Sequence, residues 1–162
     1  METLFSPWRY EYIKAGESKN AAGICIFCEI TKTPERDESN YVLLRASRNF
    51  IVLNIYPYIS GHLLVVPFEH VSDLDRAGKE TTDELMDLTK RCQTALREVY
   101  SPGGFNLGMN LGRPAGAGIA DHLHLHIMPR WAGDTNFMTS IAATRVIPEE
   151  LATTYVKLKP HF

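Results

Sequence analysis

Runs of β-branched and aromatic side chains at residues 41–45 and 50–54, separated by Ala46-Ser47-Arg48-Asn49, predict a hairpin. Tyr56-Pro57-Tyr58-Ile59-Ser60-Gly61 reads as a turn, and residues 62–66 as a third strand ended by Pro67. The period then changes. Leu85, Leu88, Cys92, Leu96 and Val99 recur at three- and four-residue steps, one apolar stripe of a helix over 82–100. Thr81 with Glu84 three residues on has the form of a capping box, and Ser101-Pro102-Gly103-Gly104 stops the helix. Residues 105–111 and 123–128 are fourth and fifth strand candidates. At the end, Pro148 stands where a first helical residue would, with Glu149 and Glu150 in the first turn. Leu151, Tyr155 and Leu158 form the buried stripe, Lys157 and Lys159 the last turn, and Pro160 the stop. Residues 31–40 are polar and proline-broken, a surface loop. The fold class is α+β: a mostly antiparallel sheet with one helix inserted midway and another at the end.

Length and composition narrow the picture. With 162 residues, 44% hydrophobic and 22% charged, the chain is one ordinary globular domain, not collagen-like, disordered or disulfide-dense. Residues 1–22, with Trp8, Tyr10 and Tyr12 among charges, read as an arm that packs on the main body or on a second copy. Residues 23–162 are the single domain. A net charge of −2 argues against nucleic acid as a partner, so an anionic ligand must be gripped locally. The apolar stretch 63–68 is too short to span a bilayer, and the amino terminus carries no export signal, which makes a cytoplasmic protein the expectation. In that setting Cys25-x-x-Cys28 reads as metal binding or redox before a structural disulfide; no thioredoxin-like βαβ pattern surrounds it. Cys92 belongs to the apolar stripe of the long helix.

Asp121-His122-Leu123-His124-Leu125-His126-Ile127-Met128 carries the chemistry. Period two sets His122, His124 and His126 on one face and Leu123, Leu125 and Ile127 on the other. The leucine face is core. Three imidazoles in a row bury poorly unless each finds a partner, so the histidine face asks for a function. Two chemistries use such a face: a catalytic zinc site with histidines at i and i+2, or attack of a neutral imidazole on phosphorus. Residues 106–118 supply four glycines, two amides and Arg113. Glycines let backbone N–H groups approach an anion, and arginine pairs with phosphate oxygens, which tilts the choice toward phosphate.

The run His122-Leu123-His124-Leu125-His126-Ile127-Met128, extended by Pro129-Arg130, resembles the signature of the histidine-triad (HIT) superfamily of nucleotidyl hydrolases and transferases. The likeness runs from about Cys25 to Arg130 and includes Gly61-His62-Leu63-Leu64-Val65-Val66-Pro67. It implies a five-stranded antiparallel sheet with a long crossing helix and a short C-terminal helix, often doubled into a homodimer. Trp8-Arg9-x-x-Tyr12 and residues 129–137 look like the bacterial and archaeal branch related to diadenosine tetraphosphate phosphorylases.

The resemblance implies roles residue by residue. His124 would be the nucleophile and His126 the group that hydrogen-bonds the phosphate oxygens or the leaving group. Asn54 matches a ribose-binding position, although an Asn before a turn also caps its own backbone. Asn110 matches a phosphate-contacting position, with Gly116 and Gly118 in the same glycine-rich loop. His62 falls at a position often occupied by histidine in the family. Many hydrolytic members carry glutamine where this chain has Gly118, and the smaller residue leaves room for inorganic phosphate as acceptor. Cys25, Cys28, His70 and His122 would hold a structural zinc, as equivalent residues do in several bacterial members. Magnesium would arrive with the substrate.

The expected activity is therefore cleavage of diadenosine tetraphosphate with phosphate to ADP and ATP. The alternatives are a HIT hydrolase of polyphosphates or nucleoside phosphoramidates, a three-histidine zinc hydrolase, and a non-catalytic nucleotide-binding module.

Overall fold

The computed structural model describes residues 24–134 and 147–162. The arm 1–22 and residues 135–137 of the branch-specific segment lie outside the described residues. Helix α1 (Ile26–Lys32) leads into strands β1 (Val42–Arg45), β2 (Asn49–Leu53) and β3 (Leu63–Pro67). Helix α2 (Lys79–Tyr100), strand β4 (Gly104–Gly108), strand β5 (Leu125–Arg130) and helix α3 (Leu151–Leu158) follow. The strands form one sheet in the order β1-β2-β3-β5-β4, every described pairing antiparallel. The expected architecture is present: a five-stranded sheet, a long helix inserted before the last two strands, and a short terminal helix.

The sheet has two differently used faces. On one, Leu43, Ile51, Leu53, Leu63, Val65, Leu125 and Ile127 meet Leu85, Leu88, Cys92, Ala95 and Leu96 of α2 and Tyr155 and Leu158 of α3. Burial of these apolar side chains is the main force holding helices to sheet. On the other, Val42, Phe50, Val52, Leu64 and Val66 pack with Phe27 of α1. Gly61 turns the chain into β3 with φ of +75°, and a Cβ there would lie 3.0 Å from Leu96 and 3.2 Å from Pro129. Only glycine fits that turn without strain.

Several boundaries depart from the sequence reading, each for a physical reason. Helix α1 was not expected. Seven residues give the hydrophobic period too little length to show, and tertiary contacts rather than propensity hold the helix. Strand β4 ends at Gly108 rather than at 111, because Gly108 already faces His126 and little of β5 remains to pair with. β5 begins at Leu125, two residues later than expected. Leu123 instead donates its N–H to the Val71 carbonyl at 2.6 Å, which keeps the chain extended while it leaves the ladder. Helix α3 begins at Leu151, not Pro148. Glu149 is drawn away to accept from the Tyr100 hydroxyl and from Thr154, and to pair with Lys157.

The Thr81–Glu84 capping box is also overturned. Helix α2 starts at Lys79 with Gly78 at its cap and no side-chain cap bond. Glu84 turns outward to the β1–β2 hairpin, accepting the backbone N–H groups of Ser47 (3.0 Å), Arg48 (2.7 Å) and Asn49 (2.8 Å) and the Asn49 amide (2.9 Å). Burial alone would raise its carboxyl pKa, but these donors outweigh burial and hold it below the usual range. Replacing Glu84 with alanine leaves those donors bare, and we expect a loss of about 2–3 kcal/mol in urea unfolding at neutral pH. The wild-type advantage is fully present above the ordinary carboxyl value of 4.5 and disappears as pH falls through the lower folded value. A loss well under 1 kcal/mol would return Glu84 to a minor role.

Candidate active site

The histidines reach one side of the sheet as their spacing required, and backbone groups assign each ring's protons. His124 lies with its Nδ1 2.8 Å from the His122 carbonyl, so Nδ1 carries the hydrogen and donates it. In the neutral ring Nε2 then keeps a lone pair. His122 has its Nε2 2.9 Å from the Pro67 carbonyl, so Nε2–H donates and Nδ1 keeps the lone pair. Burial is the largest influence on His124 and lowers its pKa below the ordinary 6.5. A lowered value keeps the imidazole neutral at physiological pH.

A second chain of bonds starts at a backbone amide. Tyr58 N–H donates to His62 Nδ1 at 3.1 Å, so the neutral His62 ring bears its hydrogen on Nε2. That Nε2–H points at His126 Nδ1, 2.9 Å away. His126 must therefore carry its own hydrogen on Nε2, and this atom is buried with no partner among the described residues. The result is a donor oriented by its neighbours and left unsatisfied, as a site for an oxygen-rich ligand requires. Tyr58 stacks on His126 at 6.2 Å between ring centroids, and Phe27 packs against both His122 and His124 at 5.3 Å.

At the His122 end of this face, Cys25, Cys28, His70 and His122 converge with all their ligand atoms within 4.8 Å of one another. Cys25 Sγ lies 3.3 Å and Cys28 Sγ 3.6 Å from His122 Nδ1, Cys28 Sγ 3.1 Å from His70 Nδ1, and the two Nδ1 atoms 3.2 Å apart. A tetrahedral ion with Zn–S and Zn–N bonds of ordinary length would set such edges at roughly 3.3–3.6 Å, so the donor set fits. His122 also has the outer partner such ligands use, its Nε2–H on Pro67. These four residues could bind a metal ion.

The remaining sequence candidates are placed as follows. Asn54 Oδ1 accepts the Tyr56 N–H at 3.0 Å, the turn-capping alternative, while Nδ2 lies 3.4 Å from His62 Nδ1. Asn110 donates to the Gly116 carbonyl at 3.5 Å, and Gly116 takes φ of 91° in an exposed turn. Gly118 lies in an exposed bend nearby. No hydrogen bond among the described residues ties Asn110, Gly116 or Gly118 to the histidines. The orienting part of His62 and the packing of Phe27 and Tyr58 were missed. For His62 a signal existed: period two along β3 puts it on the face of Leu64 and Val66, and Leu64 is opposite His126 in register.

Burial, then the neighbouring histidines, push His62 down to about 3. Burial and His124 push His126 to about 4. Both would sit near 6.5 in the unfolded chain, which therefore takes up protons that the folded chain refuses. Stability should fall as pH drops below about 6.5 and continue falling toward the folded values. With His62→Asn, the decline in urea midpoint between about pH 7 and pH 5 should become shallower. An unchanged slope would show that His62 is not held neutral.

Comparison with known proteins identifies the family. A family model described as the HIT domain matches residues 35–133. An AP-4-A phosphorylase of Mycobacterium tuberculosis is 39% identical over 159 residues, covering 95% of this chain and 80% of that protein. An adenosine 5'-monophosphoramidase of Schizosaccharomyces pombe is 29% identical over 127 residues, covering 78% of this chain and 90% of that one. A zinc-bound histidine triad family protein from Mycobacterium smegmatis matches in structure with a TM-score of 0.68 at 26% identity, over 85% of this chain and 91% of that one. Since the family match takes in all five strands and the three alternating histidines, this chain belongs to the HIT domain family.

Proposed function

We propose that this protein is an enzyme that cleaves dinucleoside polyphosphates by phosphorolysis, converting diadenosine tetraphosphate and inorganic phosphate to ADP and ATP. The observation that carries the reading is the proton on His124. With Nδ1–H held by the His122 carbonyl, Nε2 is the nucleophilic atom. It attacks the α-phosphorus of one adenylyl end; a P–N bond forms, the bridging P–O bond breaks, and ATP leaves. His126 Nε2–H, unpartnered until substrate arrives, donates a hydrogen bond to the phosphoryl or leaving oxygen. A phosphate oxygen then attacks the same phosphorus, the P–N bond breaks, and ADP leaves with His124 restored. The 39% identity to an AP-4-A phosphorylase supports the choice of substrate and of phosphate as acceptor, as does the small Gly118 in an exposed bend.

Around this step, Asn54, whose Oδ1 caps the turn and whose Nδ2 lies 3.4 Å from His62 Nδ1, would turn an amide hydrogen to a ribose hydroxyl. Asn110, Gly116 and Gly118 form the loop that lies along the polyphosphate. Zinc in the Cys25, Cys28, His70, His122 set would be structural, fixing the backbone that bears His124. Magnesium enters only as a counterion of the polyphosphate. Residues 23–162 act as one domain, with Tyr155 and Leu158 of α3 in the same core as the sheet. A homodimer fits the sheet edges: Tyr155 and Lys159 cover the Val42 and Leu43 carbonyls of β1, whereas β4 is, among the described residues, an edge strand with Leu107 exposed. Among the described residues no helix is long and apolar enough to cross a membrane, and three free cysteines suit a reducing, cytoplasmic setting.

Product analysis tests the reading. Diadenosine tetraphosphate should yield ADP plus ATP only when phosphate is present, whereas phosphate-independent release of AMP and ATP would make the protein a hydrolase. Turnover of a nucleoside phosphoramidate alone would favour the monophosphoramidase activity named for the Schizosaccharomyces pombe relative. His124→Asn should lower kcat by at least ~10³-fold with nucleotide binding retained. Unchanged turnover would remove His124 from the chemistry. Stripping metal with a chelator should lower Tm before it lowers the rate per folded molecule. Immediate loss of rate at constant Tm would instead assign the metal to catalysis.

A further inference from the structure

Both cysteines of the proposed metal set sit on α1, Cys25 at its cap and Cys28 within it, yet α1 has only seven residues and no side-chain cap bond. A helix so short does not hold its shape in water by itself. Phe27 anchors its middle against Phe50 and the histidines. At the other end Ile30 packs on the same apolar cluster, and one side chain from the sheet bonds the helix carbonyls. Arg45, at the end of β1, donates from Nη2 to the Ile30 carbonyl at 2.7 Å and from Nη1 to the Thr31 carbonyl at 3.3 Å. These carbonyls belong to the last turn of α1, where a cation also meets the negative end of the helix dipole.

The same guanidinium faces three further groups. Its Nε lies 2.9 Å and 3.1 Å from the two Asp37 carboxylate oxygens, and Nη2 lies 2.7 Å from Oδ1. Its carbon stands 6.0 Å from the ring centroids of both Phe50 and Phe68. Phe68 directly follows Pro67, whose carbonyl receives the His122 Nε2–H, and precedes His70 by two residues. One planar group thus bonds the helix carrying the two thiols and lies beside Phe68, between Pro67, which holds His122, and His70. Both members of the Arg45–Asp37 pair are about three-quarters buried, so this is not a solvent-screened surface contact.

We infer that Arg45, oriented by Asp37, is a positioning residue for the metal centre: it locks α1 against the end of β3 so that Cys25 and Cys28 stand in reach of His70 and His122 before the ion arrives. The inference rests on reading the four-residue set as a metal site. Fork geometry is the operative feature, because a lysine at 45 keeps the charge but, as a compact point donor, does not match the planar spread of two carbonyls and a bidentate carboxylate.

The test is cobalt(II) and zinc affinity of the full chain, by competition with a chromophoric chelator and by the cobalt d–d spectrum. Wild-type protein should bind one ion with a tetrahedral signature; failure at this stage defeats the metal-site reading itself. Given binding, Arg45→Lys should weaken affinity about tenfold and distort the cobalt spectrum, with Asp37→Asn moving both the same way. Arg97→Lys, which disturbs a cation–aromatic contact with Phe105 at 4.9 Å, is the control for general destabilisation and should leave metal affinity unchanged. The inference is overturned if Arg45→Lys lowers Tm while affinity and spectrum stay within twofold of wild type. Should Arg45→Lys fail to fold, Asp37→Asn decides alone by the same two readings.

Discussion

Every polar atom of His122 that remains after its peptide N–H has an assignment, and the site is arranged around those assignments. Nε2–H is held by Pro67, which ties the ring to the end of β3. Nδ1 faces the two cysteines and His70. The carbonyl holds the Nδ1–H of His124. A rotation of this one residue would disturb the Cys25–Cys28–His70–His122 cluster, the proton on the next histidine and the packing of Phe27 together. The ring is almost completely buried, which removes water as a substitute partner and makes each of these bonds costly to lose.

The alternation of side chains across a strand turns that local arrangement into a whole site. Leu125 and Ile127 fill the α2 side while His126 points the other way, so one short segment serves core and chemistry with no compromise between them. β3 repeats the device with Leu63 and Val65 inward and Leu64 outward. His62 follows the same parity, which brings it to His126 across neighbouring strands. The long helix packs on the leucine face and fixes the sheet whose opposite face holds these histidines.

How much of this the sequence disclosed depended on the range of the interactions. The three alternating histidines, the Cys25-x-x-Cys28 pair and the stripe Leu85, Leu88, Cys92 and Leu96 were legible, because each is written in local spacing. Glu84 was misread for the same reason: its spacing from Thr81 fits a cap, but three N–H groups in the β1–β2 turn, far away in sequence, offered stronger partners. Helix α1 and the start of α3 depend on Arg45 and Glu149, whose partners no periodicity reveals. Proton positions lay further out of reach. They follow from the Tyr58 N–H and two backbone carbonyls, and become readable only once the chain has folded.

On the proposed function, burial explains why a site for a polyanion is built from neutral groups. A charged histidine face would attract phosphate more strongly, yet a protonated His124 would have no lone pair with which to attack. Low solvent access settles the conflict in favour of the neutral ring, holding His62, His124 and His126 below their ordinary values. On the function proposed above, the phosphate is met by oriented N–H donors rather than by net charge. Such donors are effective only if their direction is set in advance, because a neutral N–H has little reach compared with a cation. That requirement accounts for the two-ring chain from Tyr58 through His62 to His126, which a site relying on charge alone would not need.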